Sequence, residues 1–307
     1  MQIIGLTKEN VNDYEDFLTK DIAEYIGREF TCGFVVARDD EDKPTAGIVW
    51  ELRRGDDELD TNSRILFIKA YDEESAKVLL DEYTESAVLV ECSKSSFSLP
   101  SSLGSVEKSA LEKAGFSLEE KESSVFCITL ADIGMALFKY GNETDARIKP
   151  LREAEDRFFD SMIAGLDMDG YRGNCEDLPF LPREYFDNDV SCYYEDNEEV
   201  YAVTLIHMKP SGKAELALLY SLDDDPENLI RVMKQAVIYA DDKYDPATKL
   251  LVDRYDDRIR ELSEEYFPKA KGITVFEGIR MEELPEREEI DIRYYNEEEW
   301  DDDFEEY

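Results

Sequence analysis

Few groupings of side chains in this sequence could carry out covalent or metal chemistry. The single histidine, His207, falls in the apolar run Val203 to Met208, where alternation allows either face. Without a second histidine there is no imidazole pair for a metal ion. Five cysteines, Cys32, Cys92, Cys127, Cys175 and Cys192, stand singly and none is spaced as Cys-x-x-Cys, which reads as reduced thiols. The acidic run Asp301, Asp302 and Asp303 lacks the glycine turn and spacing of a calcium loop. There is no nucleophilic serine elbow and no Walker loop, and Gly104 and Gly115 belong to helix boundaries. What remains are two acidic runs at the starts of helical segments, Tyr71-Asp72-Glu73-Glu74 and Leu222-Asp223-Asp224-Asp225. Carboxylates in a first helical turn complement the helix dipole by about 0.3–1 kcal/mol each, and they satisfy the N–H groups that a helix start leaves open.

The formal charge of -40, from 75 acidic and 35 basic residues, repels phosphate backbones and anionic membrane surfaces. Nucleic acid and membrane are therefore not expected as partners, whereas a cationic protein or a small amine would be drawn in. Solubility alone is the simpler use of such acidity. Residues 1 to 6 contain no basic region followed by an apolar run, and no uncharged apolar stretch approaches membrane-spanning length. Together with the isolated cysteines this gives the expectation of a soluble cytoplasmic protein. A hydrophobic fraction of 42% is that of a globular chain, and 307 residues suffice for one large domain or two ordinary ones.

The elements that must position any site follow from periodicity. Tyr14, Phe17, Leu18, Ile22, Tyr25 and Ile26 form one apolar helical stripe after an opening strand. Cys32 to Ala37 and Thr45 to Leu52 read as a hairpin around Asp39 to Asp42, with Arg64 to Ala70 as a third strand. A helix through Ala76, Leu79, Leu80 and Tyr83 precedes a strand expected at Ala87 to Glu91 and a Ser-rich loop. Ser105 to Lys113 is a helix closed by Gly115, followed by two short strands, Phe116 to Glu120 and Ser124 to Leu130.

The order then repeats. A helix carries Phe158, Phe159, Met162, Ile163 and Leu166, and a hairpin joins Ser191–Tyr194 to Val200–Met208 around residues 195–199. Ala214 to Tyr220 is a strand, Pro226 to Ala240 a helix with proline in its first turn, Leu250 to Asp253 a strand and Asp256 to Tyr266 a helix; Ile273–Phe276 and Gly278–Met281 close the half. Ala87 to Cys92 aligns with Lys249 to Arg254 at an offset of roughly 160 residues, which suggests a diverged duplication. The expected organisation is a first domain at 1–133, a connection at 134–146 in which Met135, Leu137 and Phe138 could form a docked helix, a second domain at 147–281, and an acidic tail at 282–307.

The element order, together with Ala110-Leu111-Glu112-Lys113-Ala114-Gly115-Phe116, resembles the GNAT acyltransferase superfamily. In the closing helix of that fold, glycine supplies the left-handed cap that turns the chain into a strand whose first aromatic is buried. The resemblance implies an α/β (α+β) protein of two tandem GNAT-like domains, each a mixed, mainly antiparallel sheet flanked by helices. It also implies acetyl-CoA or another acyl-CoA as cofactor if the protein is active. In active members the strand matching Arg64 to Ala70 leads into a glycine loop whose bare amides hold the cofactor pyrophosphate.

Here the corresponding loops, with Tyr71 and Asp72 in the first half and Leu222, Asp223 and Asp224 in the second, lack glycine and place carboxylates where phosphates would sit. The resemblance also implies a strand carboxylate as general base and a tyrosine on the last helix as general acid. The first half has Glu51 as its candidate base but Leu111 where the tyrosine would stand; the second half offers Glu215 and Tyr266. Two readings follow: a non-catalytic scaffold or ligand-sensing protein, with no cofactor certain, or a diverged N-acyltransferase acting on a small amine.

Overall fold

The computed structural model describes residues 1–282 except 39–42, 56–59, 141–144, 169, 172, 174, 197–198 and 223–224. Its described residues form one mixed sheet of twelve strands flanked by seven α-helices and several 3-10 turns. None of these helices is long and apolar enough to cross a membrane.

The first half runs β1 (Gln2–Gly5), the one-turn α1 (Lys20–Ala23), β2 (Thr31–Ala37), β3 (Pro44–Arg54), β4 (Thr61–Ala70), α2 (Glu73–Leu89), β5 (Cys92–Pro100), α3 (Ser105–Lys113) and β6 (Glu119–Thr129). The helix α4 (Leu130–Leu137) follows directly and buries Leu130, Ile133 and Leu137, while Met135 is exposed and Phe138 lies in the 3-10 turn after it. The second half runs β7 (Ile148–Pro150), α5 (Asp156–Met168), β8 (Cys192–Asp196), β9 (Glu199–Met208), β10 (Ala214–Ser221), α6 (Pro226–Lys243), β11 (Lys249–Asp253), α7 (Asp257–Tyr266) and β12 (Gly272–Met281). The acidic tail, from residue 283 onward, lies outside the described residues.

Strand order is β1-β2-β3-β4-β5-β12-β6-β11-β10-β9-β8-β7. The last strand of each half is thus exchanged. β12 lies between β5 and β6, pairing Val275 to Met281 with Pro100 to Lys94, while β6 pairs Val125 to Thr129 with Asp253 to Lys249. At the centre the two exchanged strands pair with each other. Glycine is required at Gly278, where an added Cβ would overlap the Ser117 carbonyl oxygen and the Phe97 ring.

Both faces of the sheet are covered by apolar clusters. In the first half Ile48, Trp50, Ile65 and Phe97 pack under Leu79, Tyr83 and Leu111 of α2 and α3, and Val35 and Val49 pack on the other face against Phe17, Leu18 and Ile26. In the second half Ile206, Leu216 and Val252 meet Val232, Ala236 and Ile259 of α6 and α7, and Val203, Leu205 and Leu218 meet Phe159 and Ile163 of α5. Gly115 takes φ +88° and Phe116 is buried, as its motif requires.

Three expectations are corrected. Ala87 to Glu91 is not a strand: α2 continues to Leu89, and the strand is the serine-rich stretch Cys92–Pro100. The proposed alignment of Ala87–Cys92 with Lys249–Arg254 therefore sets a helix end against a strand. Serines tolerate this burial because Ser95 bonds Ser63, 2.9 Å away, and Ser63 in turn bonds the Tyr83 hydroxyl. The pairs of short closing strands are single long ones, β6 and β12. Finally, the stripe from Tyr14 to Ile26 is broken into a 3-10 turn, α1 and further turns, with its apolar residues still inward.

Candidate functional site

Two V-shaped openings and one cleft organise the polar groups of the sheet. β4 and β5 run parallel and pair only from Thr61 with Cys92 to Ile65 with Phe97; beyond that β4 continues along β3 and β5 along β12. β10 and β11 pair at only two positions, Ala214 with Leu250 and Glu215 with Leu251, before they part in the same way. Each opening leads towards the start of a helix, α2 or α6.

At α2 the amides of Ala70, Tyr71 and Ser75 are bonded to the chain's own groups. Asp72 is the N-cap, and its carboxylate accepts from the Ser75 N–H at 2.8 Å and the Ser75 hydroxyl at 3.0 Å. The Ser75 backbone bond holds the Asp72 carboxyl below the usual range. The Tyr71 N–H donates to the Thr45 carbonyl, and the Ala70 N–H donates at 3.0 Å to the carboxylate of Glu107, a buried residue of α3. The Tyr71 side chain lies exposed with its ring edge to face against Phe17.

At α6, Asp225 is the N-cap and accepts from the Glu227 N–H at 2.9 Å, Pro226 has no N–H to offer, and the Leu222 carbonyl accepts from the Asp225 N–H. Asp223 and Asp224 lie outside the described residues.

Between the halves lies a polar cleft of about 400 Å³. Its lining includes Glu51 of β3, Arg64 of β4, Ser96 and Ser98 of β5, Ser123 and Ser124 of β6, Glu215 of β10, Asp253 of β11 and Glu277 of β12. Tyr25, Arg28 and Cys175 complete the wall. Arg28 crosses between the halves: it forms a bidentate pair with Asp177, with Nε 2.7 Å from Oδ2, and donates to the Tyr185 hydroxyl at 3.2 Å. Both members are almost fully buried. Burial opposes the guanidinium charge, yet the Asp177 bond raises its pKa further.

Glu215 pairs with Lys209 at 2.8 Å, and Lys209 also donates to the Tyr25 hydroxyl at 3.2 Å. Burial works against the Lys209 ammonium, but Tyr25 and Glu215 hold its pKa above the usual value. Burial, and then the nearby Glu215 carboxylate, raises that of Tyr25. The Cys175 thiol is pushed up to about 12 by burial, so it is a protonated and unreactive group at neutral pH.

The structure therefore brings Glu51 and Glu215 to one cleft and places Tyr266 elsewhere. Tyr266, the last residue of α7, lines a separate open groove with Cys127, Asp132 and Lys269. Glu51 is buried, with Arg64 at 2.8 Å and Arg53 at 3.2 Å. Leu111 is a core residue of the first half. His207 is a bridge between halves: Nδ1 donates to the Tyr185 carbonyl at 2.7 Å, Nε2 lies 3.0 Å from Glu24, and the Tyr185 ring stacks on it at 3.9 Å. None of the cysteines forms a disulfide, and the described residues contain no cluster suited to a metal ion. Arg28, Arg64 and Asp253 have no distinguishing signal in their types, and the joining of both halves in one sheet places them on one cavity. The nearest signal was that Asp253 ends a strand beside an element boundary.

No family model and no curated protein matches the sequence. Solved structures do. A tandem GNAT protein from the clavulanic acid biosynthesis pathway superposes with a TM-score of 0.61 at 11% identity, covering 92% of this chain and 99% of that one. A glucosamine N-acetyltransferase region of a fungal multi-domain β-N-acetylglucosaminidase gives 0.55 at 12% identity, over 91% of this chain and 38% of that one. A conserved protein of unknown function from Enterococcus faecalis, classed as a probable N-acyltransferase, gives 0.51 at 12% identity, over 92% and 73%. The chain has the fold of the GNAT N-acetyltransferases, in tandem.

Proposed function

We propose that this protein is a non-catalytic, ligand-sensing member of the tandem GNAT fold, a pseudoenzyme acting in the cytoplasm. The observation that carries this reading is the state of the two helix starts, where the cofactor pyrophosphate would sit. Asp72, Asp225 and Glu107 take the amides of Ser75, Glu227 and Ala70, and their carboxylates stand where phosphate charge would come. Two like charges at contact distance repel by about 1 kcal/mol even in bulk water and by more near a protein surface, so pyrophosphate binding is opposed twice over. With its formal charge of -40 the protein is proposed to meet a cationic partner or small amine, and neither nucleic acid nor membrane.

The second reading, a diverged acyl-CoA-dependent N-acyltransferase of a small amine, is favoured by the open strand pairs of both halves and by the Glu215, Lys209 and Tyr25 group in the cleft. Following thiol release from acetyl-CoA in the presence of a panel of primary amines separates the two. No release above the enzyme-free rate is expected; amine-dependent release would establish the second reading.

A further inference from the structure

The central cleft contains one charge that its surroundings leave over. Arg64 lies 2.8 Å from Glu51, Arg53 bridges Glu51 and Glu176, Arg28 holds Asp177, Lys209 lies 2.8 Å from Glu215, and Lys121 lies 2.8 Å from Glu277. Asp253, the last residue of β11, has no such partner among the described residues, and its Oδ1 is buried without a hydrogen bond. The adjacent Arg254 turns away from it, donating from Nε to the Ser263 hydroxyl at 2.9 Å and from a terminal nitrogen to the Ala270 carbonyl at 3.0 Å, with the Phe126 ring 4.7 Å away.

A partly buried carboxylate without a counter-charge destabilises the unliganded fold, and such groups persist where a ligand completes them. The cavity has the size of a small-molecule site, and the hydroxyls of Ser96, Ser98, Ser123 and Ser124 line it with neutral donors and acceptors.

We propose that Asp253 anchors the ammonium group of a small polar ligand in this cleft, with one ligand bound per chain and shared by both halves. A single anchor in one cleft, to which both β6 and β12 contribute, gives a stoichiometry of one ligand per chain. This rests on the ligand-sensing reading and supplies its ligand class and anchor.

The test uses the full chain with ethanolamine, glucosamine, putrescine and spermidine as probes, read by thermal unfolding and calorimetric titration. At least one probe should raise the unfolding temperature and bind with a stoichiometry of one. Asp253→Asn should weaken that binding by tenfold or more and should itself raise the unfolding temperature of the unliganded protein, while Asp253→Glu should retain part of the binding. Failure of all four probes, equal binding by Asp253→Asn, or an Asp253→Asn protein less stable than its parent would overturn the proposal, the last because it would mean that the carboxylate is already paired. Turnover of acetyl-CoA with a bound probe would overturn the non-catalytic reading and leave the anchor standing. Failure of every probe would remove the anchor and leave the occupied helix starts as they are.

Discussion

The starts of α2 and α6 and the cleft between the halves handle polar groups in opposite ways. At the helix starts, the amides of Ser75 and Glu227 are bonded to the capping carboxylates of Asp72 and Asp225, and the amide of Ala70 at the end of β4 is bonded to Glu107 of α3. In the cleft, side chains from seven strands converge and, among the described residues, the carboxylate of Asp253 is left without a counter-charge. A polar group satisfied within the chain stabilises the fold and is closed to ligands, whereas one left open marks where a ligand can contribute binding energy. On the proposed reading, the acidic caps do structural work and the cleft does the recognition.

The comparison breaks most completely if β12 is removed, since that strand walls the cleft and covers β5 beside the first opening. Deleting residues 272–281 should abolish cooperative unfolding in circular dichroism, because the facing edges of both β5 and β6 lose their partners. Next in size, Arg28→Ala would leave Asp177 buried and alone, and chemical denaturation should show a loss of about 3–5 kcal/mol. The helix starts should respond far less: Asp72→Ala and Asp225→Ala each remove a cap and should cost about 1 kcal/mol.

The Asp72 cap also has a pH signature. Its carboxyl titrates lower in the folded protein than the ordinary value of about 3.9, so its contribution is present above that value and is lost as pH falls through the folded pKa. The stability gap between parent and Asp72→Ala should therefore be constant from neutral pH down to about 4 and close below it.

Much of this fold was legible because its elements follow simple patterns. The apolar strands β2, β3, β9 and β10, the stripes of α5 and α6, and the Ala-Gly-Phe turn at 114–116 all obey local rules that tertiary contacts do not override. β5 escaped because its inward positions include Ser95, whose burial is made acceptable only by Ser63 and the Tyr83 hydroxyl from other elements. The strand exchange was hidden for a related reason: β6 and β12 carry ordinary strand signals, and nothing local states which half each will join. Glu215 lines the cleft, but Tyr266, which the family resemblance pairs with it, lines a different groove. Asp253 could not be distinguished from the other acidic residues until its lack of a counter-charge could be seen.

The proposed function rests on the capping carboxylates at the two helix starts opposing a cofactor pyrophosphate. Calorimetric titration of the full chain with acetyl-CoA at moderate salt tests it most directly, with Asp72→Ala/Glu107→Ala and Asp225→Ala proteins alongside. The account predicts no saturable heat for the parent, and any binding confined to the variants that free the amides. Saturable binding of acetyl-CoA by the parent at micromolar concentration would contradict it.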